Sequence, residues 1–315
     1  MTIRFDGQVA LVTGGGRGMG REHCLLLAAR GASVIVNDLG VGMGGNKDGG
    51  NPAQAVVDEI VALGGRAIVN HNDAGALDGP AAMVQSAIDH YGRIDIVVHN
   101  AAIVTFAPFD ALTFEQYRAL MSVHLDGGFL LAKAAWPHMV SQKHGRFVFI
   151  TSQVGLSGLH NLAHYVVAKT GVTGLARALS LEGEEHGIRA NALGVTALTR
   201  MMTGYFRGEE KGTRPENAHM NADTEEWWAR KMRPDQVAPV VAWLASHDCD
   251  INGRILDTAG GYTVHQYLAT TRGFFDPELT PESLHAHRAQ VLDRTDAQVF
   301  DRASDLSNWR NALIG

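Results

Sequence analysis

The segment TGGGRGMG at residues 13–20 decides the fold, because it joins a strand pattern to a helix pattern through a run of glycines. It follows the apolar run QVALVTG (8–14), which is typical of a buried strand. Glycines at positions 14, 18 and 20 let the backbone turn tightly and approach a pyrophosphate at the positive end of the helix. At the first strand-to-helix turn of an α/β fold, this pattern predicts a dinucleotide-binding site.

Six further β-branched runs alternate with helical patterns along the chain. Runs that are apolar almost throughout suit strands covered on both faces, and the helices between them require parallel crossovers. The sequence therefore predicts an α/β fold, a Rossmann-type doubly wound sheet of seven parallel strands. The six runs are SVIVND (33–38), AIVN (67–70), IDIVVH (94–99), RFVFITS (146–152), IRANALG (188–194) and RILDT (254–258).

Three regions interrupt this alternation. The first is the glycine-rich segment GVGMGGNKDGGN (40–51), which we expect to be a surface loop after the second strand. The other two define the predicted domain organisation. We expect one catalytic domain over residues 1–265, with a long charged connection at about 197–233 acting as a lid. Residues 266–315 form a C-terminal extension in which TPESLHAHRAQVLDR is predicted to be helical, with Thr280 as its N-cap.

Asp38 ends the second predicted strand, where a carboxylate can accept hydrogen bonds from an adenosine ribose. A carboxylate there would repel a 2′-phosphate, which favours NAD over NADP as the cofactor. Arg17 favours the opposite choice, because a cation beside the loop can pair with a phosphate; the alternative for Arg17 is a solvated side chain. The predicted cofactor site in this part of the chain comprises Gly14, Arg17, Gly18, Met19, Gly20 and Asp38.

Composition excludes several classes of protein. A net charge of −6 over 315 residues provides no basic surface for nucleic acid. Cys24 and Cys249 belong to no Cys-x-x-Cys pair, and we expect both to be buried. No run of about 20 apolar residues suits a membrane span, and no apolar leader precedes the first strand. We therefore expect a cytoplasmic protein without a membrane partner.

Tyr165 and Lys169 lie four residues apart in AHYVVAKTG (163–171), a segment with a helical pattern. Residues at this spacing share one helical face with their Cβ atoms within about 6 Å, so the phenol and the ammonium can act on the same small volume. From the spacing alone, the pair is either a surface pair or a catalytic one.

Taken together, these features resemble the short-chain dehydrogenases/reductases. The resemblance covers about residues 5–262 and includes HNAA (99–102), the Ser152, Tyr165 and Lys169 set, and NGRILDTAGG (252–261). It is closer to the (3R)-hydroxyacyl-CoA dehydrogenase unit of the peroxisomal multifunctional β-oxidation enzymes and their bacterial stand-alone relatives. The segments shared with that branch are RFDGQVALVTG (4–14), VNDLG with the glycine-rich insertion behind it (36–51), SVHLDGGF (122–129), AAWPHM (134–139) and HGRFVFITS (144–152).

The resemblance implies an NAD-dependent oxidoreductase that interconverts a secondary alcohol and a ketone. Tyr165 would act as the base, with its pKa lowered from about 10 by the Lys169 ammonium. Lys169 would also hold the nicotinamide ribose, and Ser152 would stabilise charge on the substrate oxygen. His124 stands where most of the superfamily has a catalytic Asn, and it either relays protons from Lys169 or is a satisfied buried histidine.

The resemblance assigns further residues to the cofactor site: Asp73, Ala74, Asn100, Ala101, Val195 and Thr196. Asp73 matches the residue that meets the adenine amine, with a structural turn as the alternative. Three positions depart from the usual pattern. His99 begins a segment that is usually Asn-Asn-Ala-Gly, Val195-Thr196 replaces Pro-Gly, and Asp126 replaces an Arg common in the closer branch.

The substrate is predicted only by class. A 3-hydroxyacyl-CoA is the first expectation, and a bulky free alcohol, such as a steroid, terpenoid or aromatic one, is the alternative. The feature that separates them is a basic patch for CoA phosphates, which Arg200, Arg207, Lys211 and Arg214 could form. A regulatory protein that binds a cofactor without turnover is the hypothesis from a different class. The resemblance also implies a homodimer or homotetramer.

Two histidines next to Tyr165 remain to be assigned. His160 and His164 have the four-residue spacing of a zinc pair, but position 161 is Asn and no third ligand is evident. We expect no metal, and we assign both side chains to substrate contact because they lie beside Tyr165. Trp227 and Trp228 either cover an apolar substrate or pack the lid.

Overall fold

The computed structural model describes residues 2–42, 50–207 and 222–314. All seven predicted strands form, and neighbouring strands pair in parallel. Their bounds are β1 Val9–Thr13, β2 Ser33–Asn37, β3 Arg66–Asn70, β4 Ile96–His99, β5 Gly145–Thr151, β6 Ile188–Thr196 and β7 Ile255–Ala259.

The prediction of seven strands was one short, because an eighth strand, β8 (Tyr262–Gln266), pairs with β7 at the edge of the sheet. A two-residue turn of Gly260 and Gly261 precedes it. Both glycines have positive φ, 57° and 82°, a conformation that tight hairpins need and that glycine adopts without steric cost.

Helices connect the strands and cover both faces of the sheet. Their bounds are α1 Gly18–Ala29, α2 Pro52–Ala62, α3 Gly79–Tyr91, α4 Phe114–Met121, α5 Gly127–Gln142, α6 Val154–Ser157, α7 Ala163–Glu182, α8 Arg200–Arg207, α9 Ala222–Lys231 and α10 Ala238–Ala245. A π-helical segment, Ser122–Asp126, joins α4 to α5. No helix in the described ranges is long and apolar enough to cross a bilayer.

The order of strands in the sheet is β3-β2-β1-β4-β5-β6-β7-β8. Strands β2 and β3 are therefore added on one side of β1 and the later strands on its other side, so the order of strand addition reverses between β1 and β4. In open α/β sheets, ligands bind beyond the carboxyl ends of the strands at such a reversal, because the helices there diverge to opposite faces. The predicted Rossmann-type architecture is confirmed, and it places a cleft where the glycine loop lies.

Two layers of apolar side chains hold the helices to the sheet. One layer packs α1, α2 and α10 on the first face through residues such as Leu27, Ile60, Val241 and Leu244. The other packs α3, α5 and α7 on the opposite face through residues such as Met83, Leu131 and Val172. Cys24 and Cys249 are both free and buried, as predicted.

Residues 266–315 form a second compact unit. Its helices are α11 Pro281–Ala286, α12 Arg288–Val291 and α13 Ala303–Ile314. The predicted N-cap is confirmed, because Thr280 Oγ1 accepts a hydrogen bond from the Ser283 amide at 3.0 Å. The unit also contains a short antiparallel pair, β9 Ala269–Thr270 with β10 Gln298–Val299, which the helical pattern did not predict.

Candidate active site

A cleft of about 1290 Å³ lies at the carboxyl edge of the sheet around the reversal between β1 and β4. Pockets for small ligands typically measure about 300–1,000 Å³, so this cleft has room for a dinucleotide and a second small molecule. It is lined by every residue predicted to bind the cofactor except Thr196: Gly14, Arg17, Gly18, Met19, Gly20, Asp38, Asp73, Ala74, Asn100, Ala101, Tyr165, Lys169 and Val195.

The glycine loop leaves no space for a side chain at Gly14 or Gly20. A Cβ atom added to Gly14 would lie 2.9 Å from Ala101 Cα, and one added to Gly20 would lie 2.0 Å from the Gly14 carbonyl oxygen. Helix α1 begins directly behind this loop, and its N-cap residue Arg17 makes no side-chain capping bond. The first amides of α1 are therefore free to receive an anion, which fits the pyrophosphate of a dinucleotide.

Asp38 extends from the end of β2 beside the loop. Its Oδ2 accepts a hydrogen bond from the Gly16 amide at 3.0 Å, and its Oδ1 accepts one from the Gly40 amide at 2.9 Å. Each carboxylate oxygen can accept two hydrogen bonds, so both oxygens can still accept from the hydroxyls of a ribose. Asp73 also lines the cleft, and its Oδ1 accepts from the Gly75 amide at 2.8 Å, which is the turn contact considered as its alternative role.

Tyr165 and Lys169 lie on one face of α7 at the other end of the cleft. Lys169 Nζ is 5.6 Å from the centre of the Tyr165 ring and donates to the Ile150 carbonyl at 2.8 Å. An ammonium has three hydrogens, so two remain for other acceptors. The pair is therefore not a surface pair.

Ser152 follows β5 and is buried beside this pair, although it does not line the cleft. Its Oγ accepts a hydrogen bond from the Val154 amide at 3.2 Å. Helix α6 packs tightly on α7 at this point, because a Cβ atom added to Gly155 would lie 2.9 Å from Lys169 Cβ. The glycine thus brings the Ser152 turn close to α7, which carries Tyr165 and Lys169.

Burial shifts both titrating groups of the pair. It raises the pKa of Tyr165 to about 12, with a hydrogen bond to Ser152 acting in the opposite direction. It lowers the pKa of the Lys169 ammonium to about 7. The protein by itself therefore keeps Tyr165 protonated near neutral pH, and ionisation of Tyr165 requires additional positive charge at this end of the cleft.

His124 belongs to the π-helical segment and is buried against Tyr165. Its ring meets the Tyr165 ring edge-on, with 5.6 Å between centres. Its Nε2 lies 3.1 Å from the Ile103 amide nitrogen and 2.9 Å from the Ile103 oxygen, whereas its Nδ1 has no hydrogen-bond partner among the described residues. Burial, followed by the Lys169 charge, holds the His124 pKa well below 6.5, so the ring is neutral. His124 is thus a buried histidine in which one of the two ring nitrogens has a hydrogen-bond partner among the described residues.

The structure separates His160 from His164. His164 lies inside the first turn of α7, with Nε2 3.0 Å from Thr105 Oγ1, whereas His160 is exposed in the turn before the helix. Their four-residue spacing therefore does not put them on one helical face. Neither lines the cleft, so their role in substrate contact stays a prediction. Within the described ranges, no group of three His, Cys, Asp or Glu side chains could hold a metal ion.

The lid region is described only in part. Helix α9 carries Trp227 and Trp228 with 6.2 Å between ring centres. Arg200 lines the cleft, but the side chains of Arg207, Lys211 and Arg214 lie outside the described residues. The proposed basic patch is thus represented here by Arg200 alone.

Sequence reasoning missed several residues of the cleft wall. Ser122 and Val123 line the cleft from the π-helical segment, and their place in the shared segment SVHLDGGF (122–129) was an available signal. Thr199 and Met201 line it from the beginning of the predicted lid, where their position directly after β6 was an available signal. Ile103 lines it as well, immediately after the HNAA segment.

A parallel sheet, a nucleotide cleft at its reversal and an adjoining Ser, Tyr and Lys define a class of protein, the short-chain dehydrogenases/reductases. The sequence profile described as short chain dehydrogenase matches residues 8–210. The chain belongs to this oxidoreductase family.

Three relatives and one solved structure show similarity over most of this chain. A short-chain type dehydrogenase/reductase of Mycobacterium tuberculosis is 37% identical over 93% of this chain and 96% of its own. The peroxisomal multifunctional enzyme type 2 of Drosophila melanogaster is 34% identical over 97% of this chain but only 48% of its own length, so this chain spans about half of that enzyme. The full-length structure of the Drosophila enzyme matches 99% of this chain and 50% of its own with a TM-score of 0.79 and 28% identity. A cyclohexanol dehydrogenase of an Acinetobacter species is 33% identical over 84% of this chain and 98% of its own.

Proposed function

We propose that the protein is an NAD-dependent oxidoreductase that interconverts a secondary alcohol and a ketone by hydride transfer. The observation that carries this proposal is the layout of one cleft. The glycine loop and Asp38 lie at one end of it, and Tyr165 and Lys169 lie at the other.

In the oxidative direction, Tyr165 takes the proton of the substrate hydroxyl, and the carbon-bound hydrogen leaves as a hydride, so a ketone forms. When bound, the oxidised cofactor supplies the hydride acceptor and a positive charge. Tyr165 needs that charge together with the Lys169 ammonium, because burial alone raises its pKa to about 12. Ser152 donates its hydroxyl to the substrate oxygen.

Asp38 supports NAD rather than NADP. Its two oxygens face the loop amides and retain acceptor capacity for ribose hydroxyls. A 2′-phosphate at the same place would bring two anions together. Arg17 also lines the cleft, with Nη1 3.5 Å from the Val41 carbonyl oxygen, and it is the described residue that would favour NADP instead.

A 3-hydroxyacyl-CoA is the substrate class we propose first. It is supported by the likeness to the multifunctional enzyme over nearly the whole of this chain. An apolar cluster of Val104, Phe106 and Leu162, which also contacts Tyr165 and Met201, would suit an acyl chain.

A bulky or cyclic free alcohol is the second candidate, and one contact favours it. Asp126, which replaces an Arg common in the acyl-CoA branch, is bound by Arg118 at 2.8 Å. This pair leaves no excess positive charge for a CoA phosphate at that point. The likeness to a cyclohexanol dehydrogenase supports the same candidate.

The test is a substrate panel read by NADH absorbance at alkaline pH. The panel contains 3-hydroxyacyl-CoAs, cyclohexanol, steroids and aromatic alcohols, each with NAD⁺ and with NADP⁺. We expect turnover of one class with NAD⁺ and a preference for NAD⁺ of at least about 10-fold, or about 1.4 kcal/mol. Tight NADH binding without turnover of any alcohol would instead support the non-catalytic regulatory hypothesis.

The cytoplasmic location and the homodimeric or homotetrameric assembly are part of the same proposal. Light scattering behind a sizing column would measure the assembly, and a monomer would contradict it.

A further inference from the structure

One buried histidine is not used by the proposed chemistry, although it touches both halves of the site. His99 is the last residue of β4 and is 3% exposed. Its Nε2 lies 2.8 Å from the His124 carbonyl oxygen, and its Nδ1 lies 3.3 Å from Thr13 Oγ1. Thr13 ends β1 just before the glycine loop.

These contacts allow only one arrangement of hydrogens. A carbonyl oxygen can only accept, so Nε2 of His99 carries the hydrogen and Nδ1 is left as an acceptor. The Thr13 hydroxyl then donates to Nδ1, and its oxygen accepts from the amides of Asn100 and Ala101, each at 3.0 Å. Burial, the largest cause, lowers the pKa of His99 to about 4, which agrees with a neutral ring.

The Thr13 end of this chain supports the cofactor loop. The Asn100 side chain donates to the carbonyls of Thr13 and Gly14, both at 3.1 Å. The backbone of Asn100 and Ala101 forms the floor of the cleft directly below Gly14. The orientation of that floor thus depends on the direction in which the Thr13 hydroxyl points.

The other end supports the catalytic tyrosine. The π-helical segment differs from an α-helix because the Gly127 amide bonds back to Ser122 across five residues. Its His124 carbonyl takes a donor from outside the helix, namely His99. The ring of the same His124 contacts Tyr165 edge-on. π-Helical turns are frequent at functional sites, and here His99 supplies a donor to one from outside the helix.

The His99 ring is held too closely to adopt a different orientation. A Cβ atom added to Gly128 would lie 3.0 Å from His99 Cδ2, and the Phe149 ring meets the imidazole edge-on at 6.3 Å. The ring therefore acts as a fixed two-ended spacer between β1 and the π-helical segment.

We propose that His99 is a positioning residue that links the cofactor loop to the catalytic tyrosine, by holding Thr13 with one ring nitrogen and the His124 carbonyl with the other. This inference rests on the proposed function for its effect on turnover. Its effect on the π-helical segment is independent of turnover.

Three substitutions separate the two ends. In His99→Gln, the amide nitrogen takes the place of Nε2 and keeps the bond to His124. In His99→Asn, the oxygen of the shorter amide takes the place of Nδ1 and accepts from the Thr13 hydroxyl, whereas the bond to the His124 carbonyl is lost. His99→Phe makes neither hydrogen bond. Two readouts are taken: hydrogen–deuterium exchange of the peptide spanning 122–128 without substrate, and kcat and KM on the substrate identified by the panel.

We expect His99→Asn and His99→Phe to exchange at least about 5-fold faster in that peptide, while His99→Gln stays near wild type. We expect kcat to fall on the order of 10-fold in His99→Asn with little change in the KM for NAD⁺. In His99→Gln, which loses the bond to Thr13, we expect kcat to be largely retained and the KM for NAD⁺ to rise by at least about 5-fold. Wild-type exchange and kcat in His99→Asn, or equal damage in His99→Gln and His99→Asn, would overturn the inference.

Two further outcomes remain informative. If no protein, wild type included, turns over any alcohol, the proposed function fails while the exchange comparison still decides this inference. If the His99 variants do not fold, Thr13→Val compared with Thr13→Ser breaks the same chain at its other end. A KM for NAD⁺ of Thr13→Val equal to that of Thr13→Ser would then count against the link.

Discussion

Two buried histidines should make the fold sensitive to mild acid. His23 on α1 is 1% exposed, and neither of its ring nitrogens has a hydrogen-bond partner among the described residues. Burial lowers the pKa of His23 from 6.5 to about 3, and that of His99 to about 4. Both rings are therefore neutral in the folded protein at pH 5, whereas in the unfolded chain they are mostly protonated.

The sign and size of the effect follow from linkage. Because the folded-state pKa values are depressed, the unfolded state binds more protons below pH 6.5, and stability falls as the pH is lowered from there. At pH 5 each ring lies 1.5 units below 6.5, which corresponds to about 2 kcal/mol. The two rings together cost about 4 kcal/mol, a large share of a typical total of about 5–15 kcal/mol.

The assay is urea unfolding at pH 7 and pH 5, followed by tryptophan fluorescence at one protein concentration, for wild type and His23→Phe. The variant loses no hydrogen bond, so we expect it to be at least as stable as wild type at pH 7. We expect its loss of stability between the two pH values to be about 2 kcal/mol smaller than that of wild type. His160→Phe, which removes an exposed histidine, is the matched control. Equal losses in His23→Phe and wild type would refute the assignment of a buried neutral ring to His23.

The remaining predictions concern the cleft. Asp38→Ala should reduce the preference for NAD⁺ over NADP⁺ by at least about 10-fold, measured as the ratio of kcat/KM values, because the repulsion of a 2′-phosphate is removed; an unchanged ratio would contradict the role of Asp38. Lys169→Met should move the acidic limb of the kcat/KM profile for alcohol oxidation, on which activity rises as Tyr165 ionises, to higher pH, because the phenolate of Tyr165 loses its cation; an unmoved limb would count against that role. Gly20→Ala should abolish NADH binding measured by fluorescence, since its Cβ would lie 2.0 Å from the Gly14 oxygen. Gly174→Ala, at an open position of α7, should bind normally and be more stable by about 1 kcal/mol in a urea titration.

The strands and most residues that line the cleft around the glycine loop could be predicted because their signals are local. Buried parallel strands are apolar throughout, and the glycine loop and Asp38 lie at fixed points after the first two strands. Strand β8 was missed because Tyr262–Gln266 is largely exposed and lacks that pattern.

The rest of the site depends on contacts between residues that are far apart in the sequence, and residue spacing does not predict such contacts. The bond from His99 to the His124 carbonyl joins residues 25 positions apart, and it forms only once β4 and the π-helical segment are packed together. The four-residue spacing of His160 and His164 does not correspond to one helical face, because α7 begins only at Ala163.

The most direct test of the central claim is Tyr165→Phe, measured for NADH affinity and for kcat on the substrate that the panel identifies. The ring and its packing are kept, and only the hydroxyl that takes the proton is lost. General acid–base catalysis typically contributes about 10²–10⁴-fold, so we expect kcat to fall by at least about 100-fold while the Kd for NADH stays within about 3-fold. A variant that keeps its turnover would contradict the assignment of Tyr165 as the base and the mechanism built on it.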